Sequence, residues 1–491
     1  MSLDKYEITI GLEIHAQLLT KSKLFCACST QYGETPNSQT CPVCLGLPGA
    51  LPVLNEEAVR MAIKLALAIG AKINQRSIFA RKNYFYPDLP KGYQITQYHI
   101  PVAEDGYLEI ELGDGQKKRI GIERINLEED AGKSLHEGFP DSDEKSYIDF
   151  NRSGVPLLEI VGRPEINSPD EAVQFLQLFR IILQYLEICD GNMEEGSLRC
   201  DANLSLRPKG SSELGTKTEI KNLNSFRFLQ KALSYEALRQ SERLAKGLPI
   251  LQETRLWDEK KGQTFPMRSK EEAHDYRYFP EPDLLPLVIS KELIQNVQEA
   301  LPELPQEKKQ RFIQEYGLPN HDAQLLTSSR QLADYYEAVA QNCGLPKQAS
   351  NWVMREVRQT LKEKNLNIED FPLAPQNLGA LIQLVEKGTL SIRVAKEEVY
   401  PEMLRTGKPP QVIIEERGLT QISDEKQLLS LAQEIISSNP KPFQQYLQGK
   451  TQVVGFFIGQ MMKATRGKAN PQLVKKIITE VLEEEKRKHH E

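Results

Sequence analysis

Two kinds of residue cluster in this 491-residue chain could do chemistry. The first is sulfur. Cys26-Ala27-Cys28 is followed by Cys41-Pro42-Val43-Cys44. Two close thiol pairs at this spacing suit a four-thiolate zinc knuckle, in which each pair supplies one edge of the tetrahedron. A closed Cys26, Cys28, Cys41, Cys44 site leaves no open position for substrate, so it would brace a loop rather than catalyse. Four cysteines that are simply buried or free are the plain alternative. The second kind is carboxylate. In Glu7–Leu18, Ile8, Ile10, Leu12, Ile14, Ala16 and Leu18 alternate with Glu7, Thr9, Glu13, His15 and Gln17. Ser197–Arg207 repeats the pattern, with Arg199, Asp201 and Asn203 on the polar side. Glu128-Glu129-Asp130 ends a third such segment, and Glu159 sits inside the apolar run after Pro156. Lys217, Glu219 and Lys221 share a face in a fifth. Clustered carboxylates raise each other's pKa unless a cation sits among them, so a Mg²⁺-phosphate site is the leading reading.

Each piece taken singly has a plain reading as well. Three consecutive acids are more often a solvated turn, and Lys217, Glu219 and Lys221 could be a salt-bridged strand face. Recurrence of acids on several strands is what favours a site. Gly132-Lys133-Ser134 has the ending of a phosphate-binding P-loop, but Leu127 stands where that loop needs glycine, which rules it out. The segment Arg81–Tyr93, with Lys82, Tyr84 and Lys91, is rich in Tyr and Lys and punctuated by Gly and Pro. It could close over an adenine or the end of a nucleic acid, or be a packed surface loop. Asp275–Pro280 has the same character.

These residues need a sheet to carry them, and the period-2 alternation predicts one. Helices are predicted after Asn55, after Ser168-Pro169-Asp170-Glu171, and over Phe226–Ala245. A hairpin is predicted over Leu108–Ile122, turning at Gly113-Asp114-Gly115. From Pro305 onward the pattern is helical, with breaks at Pro319, Gly344-Leu345-Pro346, Pro372 and Gly407-Lys408-Pro409-Pro410. The expected class is α+β: a mixed-sheet catalytic domain over residues 1–293, a helical domain over 294–406 and a helical tail over 407–491.

Hydrophobic content of 40% and charged content of 26% are those of a globular protein. There is no apolar run of membrane-spanning length, and the N-terminus enters a strand pattern without a signal-peptide core, so no membrane association and a cytoplasmic location are expected. Seven cysteines, an odd number, argue against a disulfide framework. Cys189, Cys200 and Cys343 read as core residues. The net charge of -6 is unlike that of a nucleic-acid binder, yet it can hide a local basic patch, and Lys463, Arg466 and Lys468 form one.

Taken together, Gly11–His15, Tyr84–Tyr98, Leu127–Lys133, Asp149–Ile160, Gly196–Pro208, Lys217–Phe226, Asp275–Leu284 and Val454–Pro471 closely resemble the B subunit of the aspartyl/glutamyl-tRNA(Asn/Gln) amidotransferases. The resemblance spans essentially the whole chain. It implies a cradle-like N-terminal domain followed by helical middle and tail domains. It further implies ATP- and Mg²⁺-dependent formation of an acyl phosphate on Asp-tRNA(Asn) or Glu-tRNA(Gln). Amidation then uses ammonia from a glutaminase (amidase) partner, the A subunit, and a small C subunit completes the assembly. The positions matching the family's metal-linked set are Glu13, His15, Glu128, Glu129, Glu159 and Glu219. The candidates for holding nucleotide are Lys82, Tyr84, Lys91, Asn151, Arg152, Arg199, Asp201 and Lys221. Lys463, Arg466 and Lys468 are the candidates for tRNA backbone contact. Zinc cysteines are not universal in the family, and the Gly138–Ser146 segment is longer and more acidic than the resemblance implies. Two other classes compete: a non-catalytic, zinc-containing RNA-binding adaptor, and a stand-alone carboxylate–amine ligase acting on a small metabolite.

Overall fold

The computed structural model describes residues 3–113, 115–135, 141, 144–267, 275–419, 425–465 and 469–488. The chain forms two compact units, Met1–Pro305 and Gln306–Glu491. Asp114 of the predicted turn, most of the Gly138–Ser146 segment, Arg466 and Lys468 lie outside the described residues.

A nine-stranded sheet organises the first unit. From one edge the strands are Gln263–Pro266, Thr254–Asp258, Thr218–Lys221, Leu198–Pro208, Tyr6–Gln17, Pro156–Gly162, Lys117–Glu129, Ala103–Glu111 and Lys72–Ile73. Every pairing is antiparallel except Thr218–Lys221 with Thr254–Asp258, so the sheet is mixed. The predicted hairpin forms, Leu108 opposite Ile120 and Glu111 opposite Lys117.

Alternation fixes which side of the sheet is buried. Ile10, Leu12, Ile14, Ala16 and Leu18 join Ile125, Leu127, Leu158, Ile160, Leu198, Cys200, Ala202 and Leu204 in one core. Full burial of each aliphatic side chain contributes about 1.5–3 kcal/mol, so a one-residue slip, which would turn this row to solvent, is strongly disfavoured. Three long helices contribute apolar stripes to this core, and Val297 of the short helix Lys291–Glu299 joins it. The long three are α1 (Glu56–Ala68), capped by the Asn55 side chain, α2 (Pro169–Tyr185), capped by Ser168, and α3 (Phe226–Ala245), capped by Ser225. A small sheet of Phe79–Asn83, Tyr93–Gln97 and Phe279–Pro280 brings the Tyr/Lys-rich loop and the 275–280 segment side by side.

The described part of the second unit is helical, from Pro305–Tyr316 to Pro471–Lys488. It holds two apolar clusters, one spanning Phe312 to Leu419 and the other Leu428 to Leu482.

Candidate active site and metal centre

Because the helices cover the apolar face, the other face of the sheet presents its polar residues. Antiparallel register sets Glu13 opposite Asp201, His15 opposite both Arg199 and Glu159, and Glu159 opposite Asn126. Each of Glu13, His15 and Glu159 can present a ligand atom within 4.8 Å of the other two. His15 Nε2 lies 3.6 Å from Glu13 Oε1. Asn126 donates its Nδ2 to Glu159 Oε2 at 2.6 Å, while its own Oδ1 is buried and has no hydrogen-bond partner among the described residues. Glu128, next but one along that strand, accepts from the Thr96 hydroxyl at 2.7 Å. On the other flank Lys221 Nζ bridges Asp201 at 2.8 Å and Glu219 at 3.1 Å, and Thr254 donates to Glu219 at 2.7 Å.

Electrostatics follow from this crowding. Burial, then the charges of Glu159 and Asp201, push Glu13 up to about 7. Burial and Glu159 push Glu128 up to about 8. Burial lowers His15, and Arg199 adds to the effect, so the imidazole is neutral and keeps a lone pair for a cation. Burial works against ionised Asp130, but Arg199, Arg152 and the Gln17 amide outweigh it and hold that carboxyl below its ordinary range. Burial works against Lys221 as well, and Asp201 with Glu219 overcomes it and raises the ammonium. Protons therefore sit where a cation could replace them, which is the behaviour expected of a metal-ready acidic cluster.

Aromatic rings flank the cluster. Lys82 Nζ lies 4.8 Å from the Tyr276 ring centre, and Tyr84 meets Tyr276 edge-on at 6.0 Å. Tyr98 and Tyr278 stack at 4.0 Å. The charges of Glu159 and Glu128 reach the Tyr278 phenol, which burial first and those charges second push upward. Lys82 in turn lowers the pKa of Glu128, against the larger effect of burial.

Four predicted site residues are placed elsewhere than the acidic face. Glu129 was expected beside Glu128, but adjacent strand residues point to opposite faces. Its carboxylate is buried against Lys91 Nζ and accepts from the Ile95 amide at 2.9 Å. Lys91, expected to meet nucleotide, is committed to that pair. Asn151 uses its side chain to pin the cysteine loop, accepting from Gln39 N at 2.8 Å and donating to Thr35 O at 2.8 Å. Arg152 donates to the Ala131 and Gly132 carbonyls and lies 3.7 Å from Asp130. The acidic trio 128–130 is buried at a strand end, not a solvated turn. Asn126 and Thr96 were not singled out in the sequence, while Asp130 and Tyr278 were named there only as members of their runs, without the Arg199 and Tyr98 partners the structure gives them. Asn126 had a signal, since alternation puts it on the face of Glu128. Thr96 had none, because it arrives from another segment, whereas Tyr278 lies in the flagged Asp275–Pro280 run.

The four predicted knuckle cysteines converge. Their sulfurs all lie within 4.8 Å of one another, and Cys41 Sγ to Cys44 Sγ is 3.9 Å. Zn–S bonds of about 2.3 Å around a tetrahedron set sulfurs about 3.8 Å apart, so this donor set can hold a structural metal such as zinc. A hydrogen bond from the Cys26 thiol, aided by the Cys41 amide and Lys23, lowers Cys44 to about 4 despite burial. Cys189, Cys200 and Cys343 are buried core residues. In the helical unit Lys463 is exposed near the end of the Val454–Ala464 helix. Among the described residues, no helix is long and apolar enough to cross a membrane.

Comparison with known proteins places this geometry in a family. The family model described as the GatB/GatE catalytic domain matches residues 8–295, the span of the sheet and the acidic face. The one described as the GatB domain matches residues 334–482. The chain is 54% identical, over 98% of its length and the whole of the relative, to a protein from Thermodesulfovibrio yellowstonii named as the B subunit of aspartyl/glutamyl-tRNA(Asn/Gln) amidotransferase. Relatives of the same name from Geotalea uraniireducens and Thermoanaerobacter pseudethanolicus are 53% and 52% identical over 97% of the chain and 99% of their own lengths. This chain belongs to the family of aspartyl/glutamyl-tRNA(Asn/Gln) amidotransferase B subunits.

Proposed function

We propose that this chain is the tRNA-amidating subunit of a glutamine-dependent amidotransferase, and that it activates the side-chain carboxylate of Asp or Glu misacylated onto tRNA. The observation carrying this reading is the convergence of Glu13, His15 and Glu159 on one sheet face, with Glu128, Asp201 and Glu219 around them. In this reading a substrate carboxylate oxygen attacks the γ-phosphorus of ATP and ADP leaves. The nitrogen of ammonia then attacks the acyl carbon, the bond from that carbon to the phosphate oxygen breaks, and the nitrogen sheds a proton.

Glu13, His15 and Glu159, with Glu128 and Glu219 beside them, are the residues that would hold Mg²⁺, which when bound neutralises the charge of triphosphate meeting carboxylate. A Mg²⁺ site of this kind keeps several waters and takes phosphate oxygens, so an incomplete protein donor set is what the chemistry requires. Lys221, Arg199 and Lys82 supply fixed positive charge at the rim. Tyr84, Tyr276, Tyr278 and Tyr98 limit water near the acyl phosphate, which hydrolysis would waste.

The expected partners are the glutaminase and a small third chain, and a cytoplasmic setting fits a tRNA substrate. We read the helical unit as a middle domain and a tail, with Lys463, Arg466 and Lys468 meeting the tRNA backbone. Structural zinc in the cysteine knuckle would brace the 26–44 loop against the 147–152 segment that Asn37 and Asn151 already clamp.

ATP cleavage by the purified assembly, with and without misacylated tRNA, tests the proposal. Cleavage that needs both misacylated tRNA and Mg²⁺, and is lost in Glu13→Gln, supports it. A chain that binds tRNA but cleaves no ATP would instead be an adaptor, and tRNA-independent turnover on a small acid would identify a metabolite ligase.

A further inference from the structure

Lys23 is fully buried, yet among the described residues no carboxylate pairs with it. Its ammonium donates to Gln39 O at 2.7 Å and Phe150 O at 3.3 Å, and its third contact is Cys44 Sγ at 3.6 Å. Two backbone carbonyls satisfy hydrogen bonds but supply no net negative charge. An ammonium taken out of water without a counter-charge is strongly unfavourable. A divalent metal held by four thiolates has the opposite problem, because it carries a net charge of about −2 into a half-buried loop. The two meet at Cys44.

The surrounding chain is built for that meeting. Gly154, at φ +89°, sits between them: a Cβ there would lie 3.4 Å from both Cys44 Cβ and Lys23 Cδ and 3.9 Å from Glu129 Oε2, a carboxylate whose charge is already paired with Lys91. The Lys23 amide donates to Cys28 O at 3.0 Å and the Leu24 amide to Gly154 O at 2.8 Å. The backbone of Lys23 thus belongs to the first cysteine pair, while its side chain reaches the second pair and the Phe150 turn.

Resting on the reading of the four cysteines as a zinc centre, we propose that Lys23 is a positioning residue that compensates the charge of the four-thiolate centre and so sets its affinity for metal. Outer groups that orient or neutralise metal ligands typically change affinity about 10–100-fold.

Zinc dissociation constants, measured on the full chain by competition with a chromogenic chelator, test this for wild type, Lys23→Arg, Lys23→Gln and Lys23→Met. Lys23→Gln keeps a donor for a carbonyl but loses the charge. Lys23→Arg keeps the charge. Zinc binding about 10–100-fold weaker in the Gln and Met variants, with Arg within a few-fold of wild type, is the expected result. Equal weakening in Arg and Gln would overturn the charge argument, as would unchanged affinity in Gln. If Gln and Met fail to fold with zinc, the Arg variant decides: near wild-type affinity supports charge compensation and a comparable loss overturns it. Failure of wild type to bind zinc would sink the metal reading itself, a result distinct from all of these.

Discussion

Glu159→Gln should make the metal-free chain more stable at pH 8 while removing its response to divalent cation. Glu159 and Glu13 can bring carboxylate oxygens within 4.8 Å, and the Glu159 charge is the chief electrostatic cause of the raised pKa at both Glu13 and Glu128. Two unit charges at that separation repel by about 3 kcal/mol at an effective dielectric of about 20. Partial exposure and partial protonation of Glu13 reduce this to roughly 1–2 kcal/mol at pH 8. Gln keeps an acceptor for Asn126 Nδ2 and adds a donor for Asn126 Oδ1, which has no partner among the described residues, so the hydrogen bonding improves. At roughly 2–4 °C per kcal/mol, unfolding of the sheet-containing unit in EDTA should rise by about 2–8 °C at pH 8. At pH 5 Glu13 and Glu128 are protonated, the repulsion is gone, and the gain should fall to about 1 °C or less. Differential scanning calorimetry at both pH values, with EDTA and with Mg²⁺, reads all four quantities. A variant equally destabilised at both pH values, or one that keeps the wild-type Mg²⁺ response, would refute the reasoning.

The same linkage gives wild type a signed pH dependence. Glu13 near 7 and Glu128 near 8 are raised above their unfolded values, so their contribution to stability is full below about pH 4.5 and lost as pH rises through 7–8. Because a cation must displace those protons, Mg²⁺ affinity by isothermal titration should rise by about 10-fold from pH 6 to 8 if only Glu13 must ionise and by about 500-fold if Glu128 must as well; a flat profile would contradict the assignment. Glu129→Gln should destabilise the chain by about 3 kcal/mol in denaturant titrations by stranding the buried Lys91 ammonium, and adding Lys91→Met should recover much of it. Additive losses in that double mutant would show that the two do not act as a pair. Lys463→Ala with Arg466→Ala and Lys468→Ala should weaken tRNA binding and flatten its log–log salt slope by roughly two, with tRNA-independent properties unchanged.

Much of the architecture could be read from alternation and capping. The Glu7–Leu18 and Ser197–Arg207 patterns named the buried row and the polar row correctly, and the register pairs them residue for residue. Asn55 and Ser168 marked helix starts because a side-chain oxygen satisfies an otherwise free amide there. The site was legible only where one strand told its own story. That Glu129 could not share a face with Glu128 follows from the same alternation, yet a run of three acids invites reading them as one unit. The Asp130–Arg199 pair, the Thr96 bond to Glu128 and the Tyr98–Tyr278 stack depend on strand order and on a second small sheet. No local pattern encodes those. Lys23 gave no signal, because an isolated lysine reads as surface until the fold buries it.

The central claim is that these side chains hold a divalent cation at one place. Anomalous diffraction from crystals of the assembly soaked in Mn²⁺, a stand-in for Mg²⁺ with the same oxygen preference, tests it directly. A peak within bonding distance of Glu13, His15 and Glu159, absent in Glu159→Gln, is the predicted result. No peak there at saturating Mn²⁺, or an ammonium or guanidinium filling the position instead, would contradict it.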